Sequence, residues 1–287
     1  MRPPFFMPEM EDTDPMMQRW RRLAILTLPF LLAACASFPP AAIAPASFAP
    51  HRVVAGDPPP LAQPPFIEQP ERMAAKRAAA AQGRVDLVFI GDSITQNYDR
   101  TSPKPAENYK PVWDAFYGDR HALNLGYGAD TTGATLWRLQ KGEIDGIAPK
   151  LAVVLIGTND TNIRRTAEEG AAGVEAVVAA IHARLPRTKI LLLGILPSGH
   201  SVVKTRADAR INETLAARYA GSAFVTFLDI GQVFLKDGAV DTALYTEPAG
   251  HELHPNARGQ AAMAAAIEPT LARLMGAPPK PPAPAGS

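Results

Sequence analysis

Five short apolar runs, each bounded by turn-forming residues, constrain the fold of this chain more than any other feature. Most are apolar without alternation, which is typical of strands buried on both faces of a parallel sheet. The runs are Val85–Ile90, Ala122–Leu125, Leu151–Ile156, Lys189–Leu193 and Phe224–Leu228. Segments with the helical spacing of apolar residues alternate with them or follow the last run: Thr132–Lys141, Thr166–Leu185, Thr205–Tyr219 and Asn256–Met275. This alternation predicts βαβ units and a three-layer α/β/α sandwich around a five-stranded parallel sheet.

The distribution of proline predicts where this domain begins and ends. The chain has 29 prolines in 287 residues, and they are concentrated before residue 66 and after residue 275. Hydrophobic residues make up 47% of the chain, which is enough to fill a substantial core. We therefore predict one domain over 66–275, a Pro/Ala-rich linker over 36–65 and a disordered Pro-rich tail over 276–287.

The N-terminal segment is typical of an export signal. Three basic residues, Arg19, Arg21 and Arg22, precede the apolar run Leu23–Ala34, which is too short to span a bilayer as a helix. The run ends at Cys35, the only cysteine, in a pattern that resembles the bacterial lipobox. We predict a signal peptide over 1–35 and lipidation of Cys35. The domain would then be exported and anchored to a membrane on the periplasmic side of a bacterial cell envelope, with the 36–65 linker as its tether.

Charge and cysteine content exclude several classes of function. A net charge of +1 argues against a nucleic-acid partner, whose binding domain would be strongly basic. A single cysteine excludes an intramolecular disulfide framework and a Cys-rich zinc site. The pair His251 and His254 has a spacing of three rather than four, and Pro255 would interrupt a helix through it. We therefore predict no metal site.

Glycines and polar residues follow the predicted strands, at the edge of the sheet where α/β folds bind ligands. The blocks are Gly91-Asp92-Ser93, Asn124-Leu125-Gly126, Gly157-Thr158-Asn159-Asp160 and, before the last helix, His254-Pro255-Asn256. Their order resembles that of the SGNH (GDSL) hydrolase family, and the Leu136–Gln140 region resembles the branch of the platelet-activating-factor acetylhydrolase catalytic subunits. The resemblance implies a flavodoxin-like topology and a serine esterase that needs no cofactor.

The resemblance also assigns roles that agree with the chemistry of the residues. Ser93 would be the nucleophile, and His254, whose imidazole titrates near neutral pH, would be the general base. The backbone N–H groups of Ser93 and Ala129 and the side-chain amide of Asn159 would form the oxyanion hole. The branch has glycine where this chain has Ala129; the N–H persists, but alanine disfavours positive φ.

One position departs from the family pattern. The carboxylate that orients the histidine normally lies three residues before it, where this chain has His251. Two alternatives remain open at this stage. Glu252 could accept from the imidazole of His254 if the loop is reshaped, or a backbone carbonyl could orient His254 in a Ser–His dyad. We predict Glu252 as the third catalytic residue.

The expected function is hydrolysis of short-chain or acetyl esters through an acyl-enzyme on Ser93. The expected partner is a small-molecule, glycan or lipid ester. Two rivals remain: a non-catalytic envelope lipoprotein that binds glycans through a degenerate domain, and an acyltransferase with the same active site. The sequence indicates neither the acyl chain, nor the alcohol, nor the oligomeric state.

Overall fold

The computed structural model describes residues 62–281. The predicted signal peptide, the lipidation site Cys35 and nearly all of the linker lie outside the described residues.

A five-stranded parallel sheet forms the centre of the domain, as the apolar runs predict. The strands are β1 (Leu87–Gly91), β2 (Ala122–Gly126), β3 (Leu151–Leu155), β4 (Lys189–Leu193) and β5 (Val225–Leu228). Their order is β2-β1-β3-β4-β5, and all four pairings are parallel. This is the flavodoxin-like order, in which the chain reverses its winding direction between β1 and β3. A small antiparallel pair, β6 (Leu235–Lys236) and β7 (Ala239–Val240), follows the sheet.

Eight α-helices accompany these strands within residues 62–281. They are α1 (Pro70–Gln82), α2 (Ser93–Gln96), α3 (Lys110–Tyr117), α4 (Thr132–Gln140), α5 (Thr158–Asn162), α6 (Ala167–Arg184), α7 (Val202–Tyr219) and α8 (Ala257–Met275). The four helices predicted from spacing correspond to α4, α6, α7 and α8. Thr166 begins α6 with a capping box, in which its hydroxyl accepts from Glu169 N–H and the Glu169 carboxylate accepts from Thr166 N–H.

The sheet is covered on both faces because alternate strand residues enter different cores. Val88 and Ile90 of β1 pack in a cluster with side chains of α4, α6 and α7. Leu87 and Phe89, on the opposite face, pack with side chains of α3 and α8. Two apolar layers explain why the strands read as continuous apolar runs, since neither face meets water.

The packed region is longer at both ends than the predicted 66–275. Pro65 is buried, and the backbone N–H of Gln63 donates to the carbonyl of Gly133 at 3.1 Å. After α8, Lys280 N–H donates to the Glu268 carboxylate at 2.8 Å. Hydrogen bonds to the domain thus reach into the predicted linker and tail, which proline content alone does not reveal.

Candidate active site

The predicted polar blocks meet at the carboxyl edge of the sheet. β1 leads into Ser93, β2 into the loop containing Ala129, and β3 into Asn159. Because β1 lies between β2 and β3, Ser93 emerges between the other two segments. This is the topological switch point, where open α/β sheets bind their ligands.

A glycine at the end of β1 allows the tight turn that presents Ser93. A Cβ on Gly91 would lie 2.3 Å from Thr95 Oγ1 and 2.4 Å from the carbonyl oxygen of Leu155. Asp92 caps α2 by accepting from Ile94 N–H at 2.9 Å, and Ser93 is the first residue of that helix. Burial raises the pKa of Asp92 to about 7. Ser93 is half-buried at the start of α2.

Ser93 and His254 are in direct contact, as the family resemblance implies. Ser93 Oγ lies 3.0 Å from His254 Nε2, although the two residues are 161 positions apart. Asn256 caps α8 by accepting from Gly259 N–H at 3.0 Å, and its side-chain amide donates to Ala243 O and Tyr245 O. These hydrogen bonds fix the entry to α8, two residues after His254.

The carboxylate on the far side of the imidazole belongs to Glu247, not to Glu252. Glu247 Oε1 lies 2.5 Å from His254 Nδ1. Its Oε2 accepts from the backbone N–H of His254 at 2.9 Å and of Leu253 at 3.2 Å. Partial burial alone would raise the pKa of Glu247, but the hydrogen bonds from His254 outweigh it and the pKa is lowered. Glu247 is therefore a carboxylate held in its charged form beside the imidazole.

The prediction that Glu252 orients His254 is wrong. Glu252 is buried away from the imidazole, where it accepts from Thr242 Oγ1 at 2.7 Å and from Gly250 N–H at 2.8 Å. Its backbone carbonyl accepts from Gly199 N–H at 3.0 Å. Glu252 thus joins three parts of the surrounding loops. The alternative of a backbone carbonyl at His254 Nδ1 is also excluded, because Glu247 occupies that position.

Loop pairing explains why spacing along the sequence missed Glu247. Tyr245 and Pro255 form an antiparallel bridge, and Thr246 N–H donates to His254 O at 2.9 Å. The chain therefore folds back on itself, and Glu247 is placed beside a histidine seven residues later. The sequence shows an acidic residue seven positions before His254, but the family spacing of three falls instead on His251, which is exposed.

Ala129 has the positive φ that its side chain disfavours, with φ 63°. The loop that holds it is fixed on both sides. Gln96 Oε1 accepts from Gly128 N–H, and Asp130 N–H donates to Tyr127 O at 3.2 Å. Within residues 62–281, the Ala129 N–H itself makes no hydrogen bond. This N–H remains available to a ligand.

Asn159 is tied to the same loop. Its Nδ2 donates to the carbonyl of Asp130 at 2.9 Å, which uses one of the two amide hydrogens. Asp130 in turn accepts from the buried Arg138 at 2.7 and 2.9 Å through both carboxylate oxygens. The loop of Ala129 and the helix of Asn159 are therefore held together by this hydrogen bond.

The described part of the chain contains neither the side-chain arrangement of a metal site nor a helix suited to cross a membrane. Across 62–281, no cluster of three or more His, Cys, Asp or Glu side chains has the arrangement of a metal site. None of the helices in this part of the chain combines the length and apolar character needed to cross a membrane.

Comparison with known proteins identifies the family of the chain. Residues 89–262 match the model of the GDSL-like Lipase/Acylhydrolase family, which covers more than half of the chain. The chain belongs to this family, in agreement with the resemblance of its four sequence blocks.

Particular relatives lie within one branch. Platelet-activating factor acetylhydrolase IB subunit alpha2 of Rattus norvegicus is 41% identical over 157 residues, covering 54% of this chain and 64% of the relative. The alpha1 subunit of Homo sapiens is 36% identical, covering 54% of this chain and 63% of the relative. The chain therefore spans less than two thirds of the length of these relatives.

A solved structure shows the same fold at lower identity. A GDSL-like lipase of Bacteroides thetaiotaomicron has a TM-score of 0.54 and 19% identity, covering 71% of this chain and 97% of that protein. It supports the flavodoxin-like architecture.

Proposed function

We propose that the protein is a serine esterase that hydrolyses short-chain or acetyl esters through an acyl-enzyme on Ser93. The observation that carries the proposal is the series of contacts from Ser93 Oγ to His254 Nε2, 3.0 Å, and from His254 Nδ1 to Glu247 Oε1, 2.5 Å. A hydroxyl, an imidazole and a carboxylate in this order are the parts of a nucleophilic triad. Family membership and the acetylhydrolase relatives support an ester as the substrate and acetyl as the acyl group.

The mechanism follows from these atoms. Ser93 Oγ attacks the ester carbonyl carbon while His254 Nε2 takes the hydroxyl proton. The resulting oxyanion is stabilised by the N–H groups of Ser93 and Ala129 and by the free amide hydrogen of Asn159. His254 then gives its proton to the alcohol as the C–O bond breaks. Water, deprotonated by His254, attacks the acyl-enzyme; the bond to Ser93 Oγ then breaks, His254 returns the proton to Ser93 Oγ, and the carboxylic acid is released. Glu247 stabilises the imidazolium in both steps.

The presence of Glu247 also bears on the rival functions. A degenerate, non-catalytic glycan-binding domain was suggested by the missing aspartate and by Ala129. Glu247 supplies a carboxylate at His254, so the missing aspartate no longer favours a degenerate domain. An acyltransferase would share the triad and differ only in its acceptor. Incubation with an acetyl ester and a sugar, followed by analysis of the products, separates the two: hydrolysis releases acetate, and transfer yields acetylated sugar.

Ser93→Ala tests the proposal directly. We expect the variant to fold, because the change removes one half-buried hydroxyl, and to lose several orders of magnitude in kcat on 4-nitrophenyl acetate. A serine-directed phosphonate should label the parent protein at Ser93 and should not label the variant. Full activity in Ser93→Ala, or labelling at another residue, would refute the mechanism.

A further inference from the structure

A lysine buried behind the active site has no part in the triad. Lys204, in the first turn of α7, is 3% exposed. Its ammonium donates to Thr158 Oγ1 at 2.9 Å, to Thr161 Oγ1 at 3.1 Å and to Asp208 Oδ2 at 2.6 Å. An ammonium has three hydrogens, so these contacts satisfy all of them.

Two of the three acceptors belong to α5, the short helix that carries Asn159. Asp208 completes the cluster, because its second oxygen accepts from Thr161 Oγ1 at 2.7 Å. Buried ion pairs are seldom the most stabilising way to fill a core, since desolvation offsets much of the attraction. A purpose other than overall stability is therefore the better explanation of this buried pair.

Helix α5 needs external support. It has five residues, far fewer than an isolated helix needs to be stable in water. Asp160 fixes one side, because its carboxylate accepts from Thr132 N–H at 2.9 Å, from Thr132 Oγ1 at 2.7 Å and from Arg165 at 2.6 Å. Lys204 fixes Thr158 and Thr161. The residue between the two anchored positions 158 and 160 is Asn159.

We propose that Lys204, with Asp208 as its counter-ion, is a positioning residue that holds the Asn159 amide in the oxyanion hole. This inference rests on the proposed function, in which Asn159 stabilises the oxyanion. The hydrogen bond from Asn159 to Asp130 O restrains the amide at its tip, whereas Lys204 restrains the helix from which the side chain projects. A displacement of about 1 Å at a catalytic group can reduce the rate about a hundredfold.

Lys204→Met removes the ammonium and retains most of the side-chain volume. We expect kcat on 4-nitrophenyl acetate to fall by about thirtyfold or more, with KM within about threefold, because the donor acts mainly in the transition state. Rates are expressed per active site, titrated with the phosphonate, so that unfolded protein does not enter the value. Arg218→Met is the matched control: Arg218 is also on α7, but its ion pair is with Glu175 on α6, at 3.2 Å. It should leave kcat unchanged.

A double-mutant cycle with Asn159→Ala separates positioning from general support. Removing one oxyanion donor should lower kcat by about a hundredfold to a thousandfold. In that background Lys204→Met should cost less than about threefold, because the group on which it acts is gone. An equal loss from Lys204→Met in both backgrounds would overturn the inference and leave the esterase proposal intact.

Two further results keep the test decisive. If Lys204→Met does not fold, Thr158→Val takes its place. This change removes one acceptor of the Lys204 ammonium with little change in shape. The loss of kcat that it causes must likewise vanish in the Asn159→Ala background. If Asn159→Ala is fully active, Asn159 is not an oxyanion donor and the inference on Lys204 falls with it. The esterase proposal is judged separately by Ser93→Ala.

Discussion

Glu247, which contacts His254, and Glu252, which does not, allow a matched test of the third catalytic residue. Glu247→Gln keeps a hydrogen-bond acceptor but removes the charge that stabilises the imidazolium, and loss of such a carboxylate costs about 10⁴ in kcat in serine proteases. We expect a loss of at least about a hundredfold in kcat on 4-nitrophenyl acetate. Glu252→Gln should lose less than about tenfold, because Glu252 contacts Thr242 and Gly250 instead. The reverse order of the two effects would refute the assignment.

Ala129 occupies a backbone conformation that favours glycine. Its φ of 63° lies in the left-handed region, which costs an L-residue about 1–2 kcal/mol. Glycine removes this strain but loses more chain entropy on folding, about 0.5–1 kcal/mol. We expect Ala129→Gly to raise Tm by about 1–3 °C and to keep kcat within about threefold, because the N–H donor remains.

The control for Ala129 is another alanine-to-glycine change. Ala134 is buried in α4 with helical backbone, so Ala134→Gly should lower the free energy of unfolding by about 1 kcal/mol or more. Thermal unfolding followed by circular dichroism measures both variants. If Ala129→Gly destabilises the domain as much as Ala134→Gly does, the loop is not strained.

At the scale of elements, α1 contacts the end of the strand that leads into the proposed oxyanion loop, although it lies outside the region matched by the family. Arg72 Nε donates to Gly126 O at 2.9 Å, and its Nη2 donates to Asp99 at 2.8 Å. Gly126 ends β2, three residues before Ala129. We expect Arg72→Met to lower kcat by about tenfold, corresponding to about 1.4 kcal/mol in the barrier, because the loop loses one anchor.

Arg84→Met is the control for this element. Arg84 follows α1, its side chain is 63% exposed, and it pairs with Asp86 before β1, away from the carboxyl edge. Its removal should leave kcat unchanged in the same assay. An Arg72→Met enzyme with parental kcat would show that α1 packs against the site without supporting it.

The elements also show what the sequence could predict. The bounds of the buried strands and of the helices α4, α6 and α8 could be predicted from the sequence to within two residues. Their apolar spacing reflects burial directly. Helix α1 was missed because none of its residues is buried, so it has no apolar periodicity. Local motifs were enough to propose Ser93, His254 and Asn159 as site residues. They did not point to Glu247 or Lys204, because the contacts of these two residues depend on loop pairing and on helix packing that no local pattern encodes.

At the scale of the whole molecule, the domain and the proposed lipid anchor belong to separate parts of one chain and would have separate functions. The described structure begins at Ala62, whereas the proposed lipidation site is Cys35. We expect catalysis not to depend on the anchor, because Ser93, His254 and Glu247 contact one another directly within the domain.

Cys35→Ser tests this separation in the full-length chain. In a bacterial host given labelled palmitate, we expect the parent to take up label and to fractionate with membranes, whereas the variant takes up none. Both proteins should hydrolyse 4-nitrophenyl acetate with equal kcat, because Cys35 lies outside the part of the chain that builds the site. Ser93→Ala is the reciprocal control: it should take up label normally and be inactive. An unlabelled, soluble parent would refute the lipid anchor, and a loss of kcat in Cys35→Ser would refute the independence of anchor and active site.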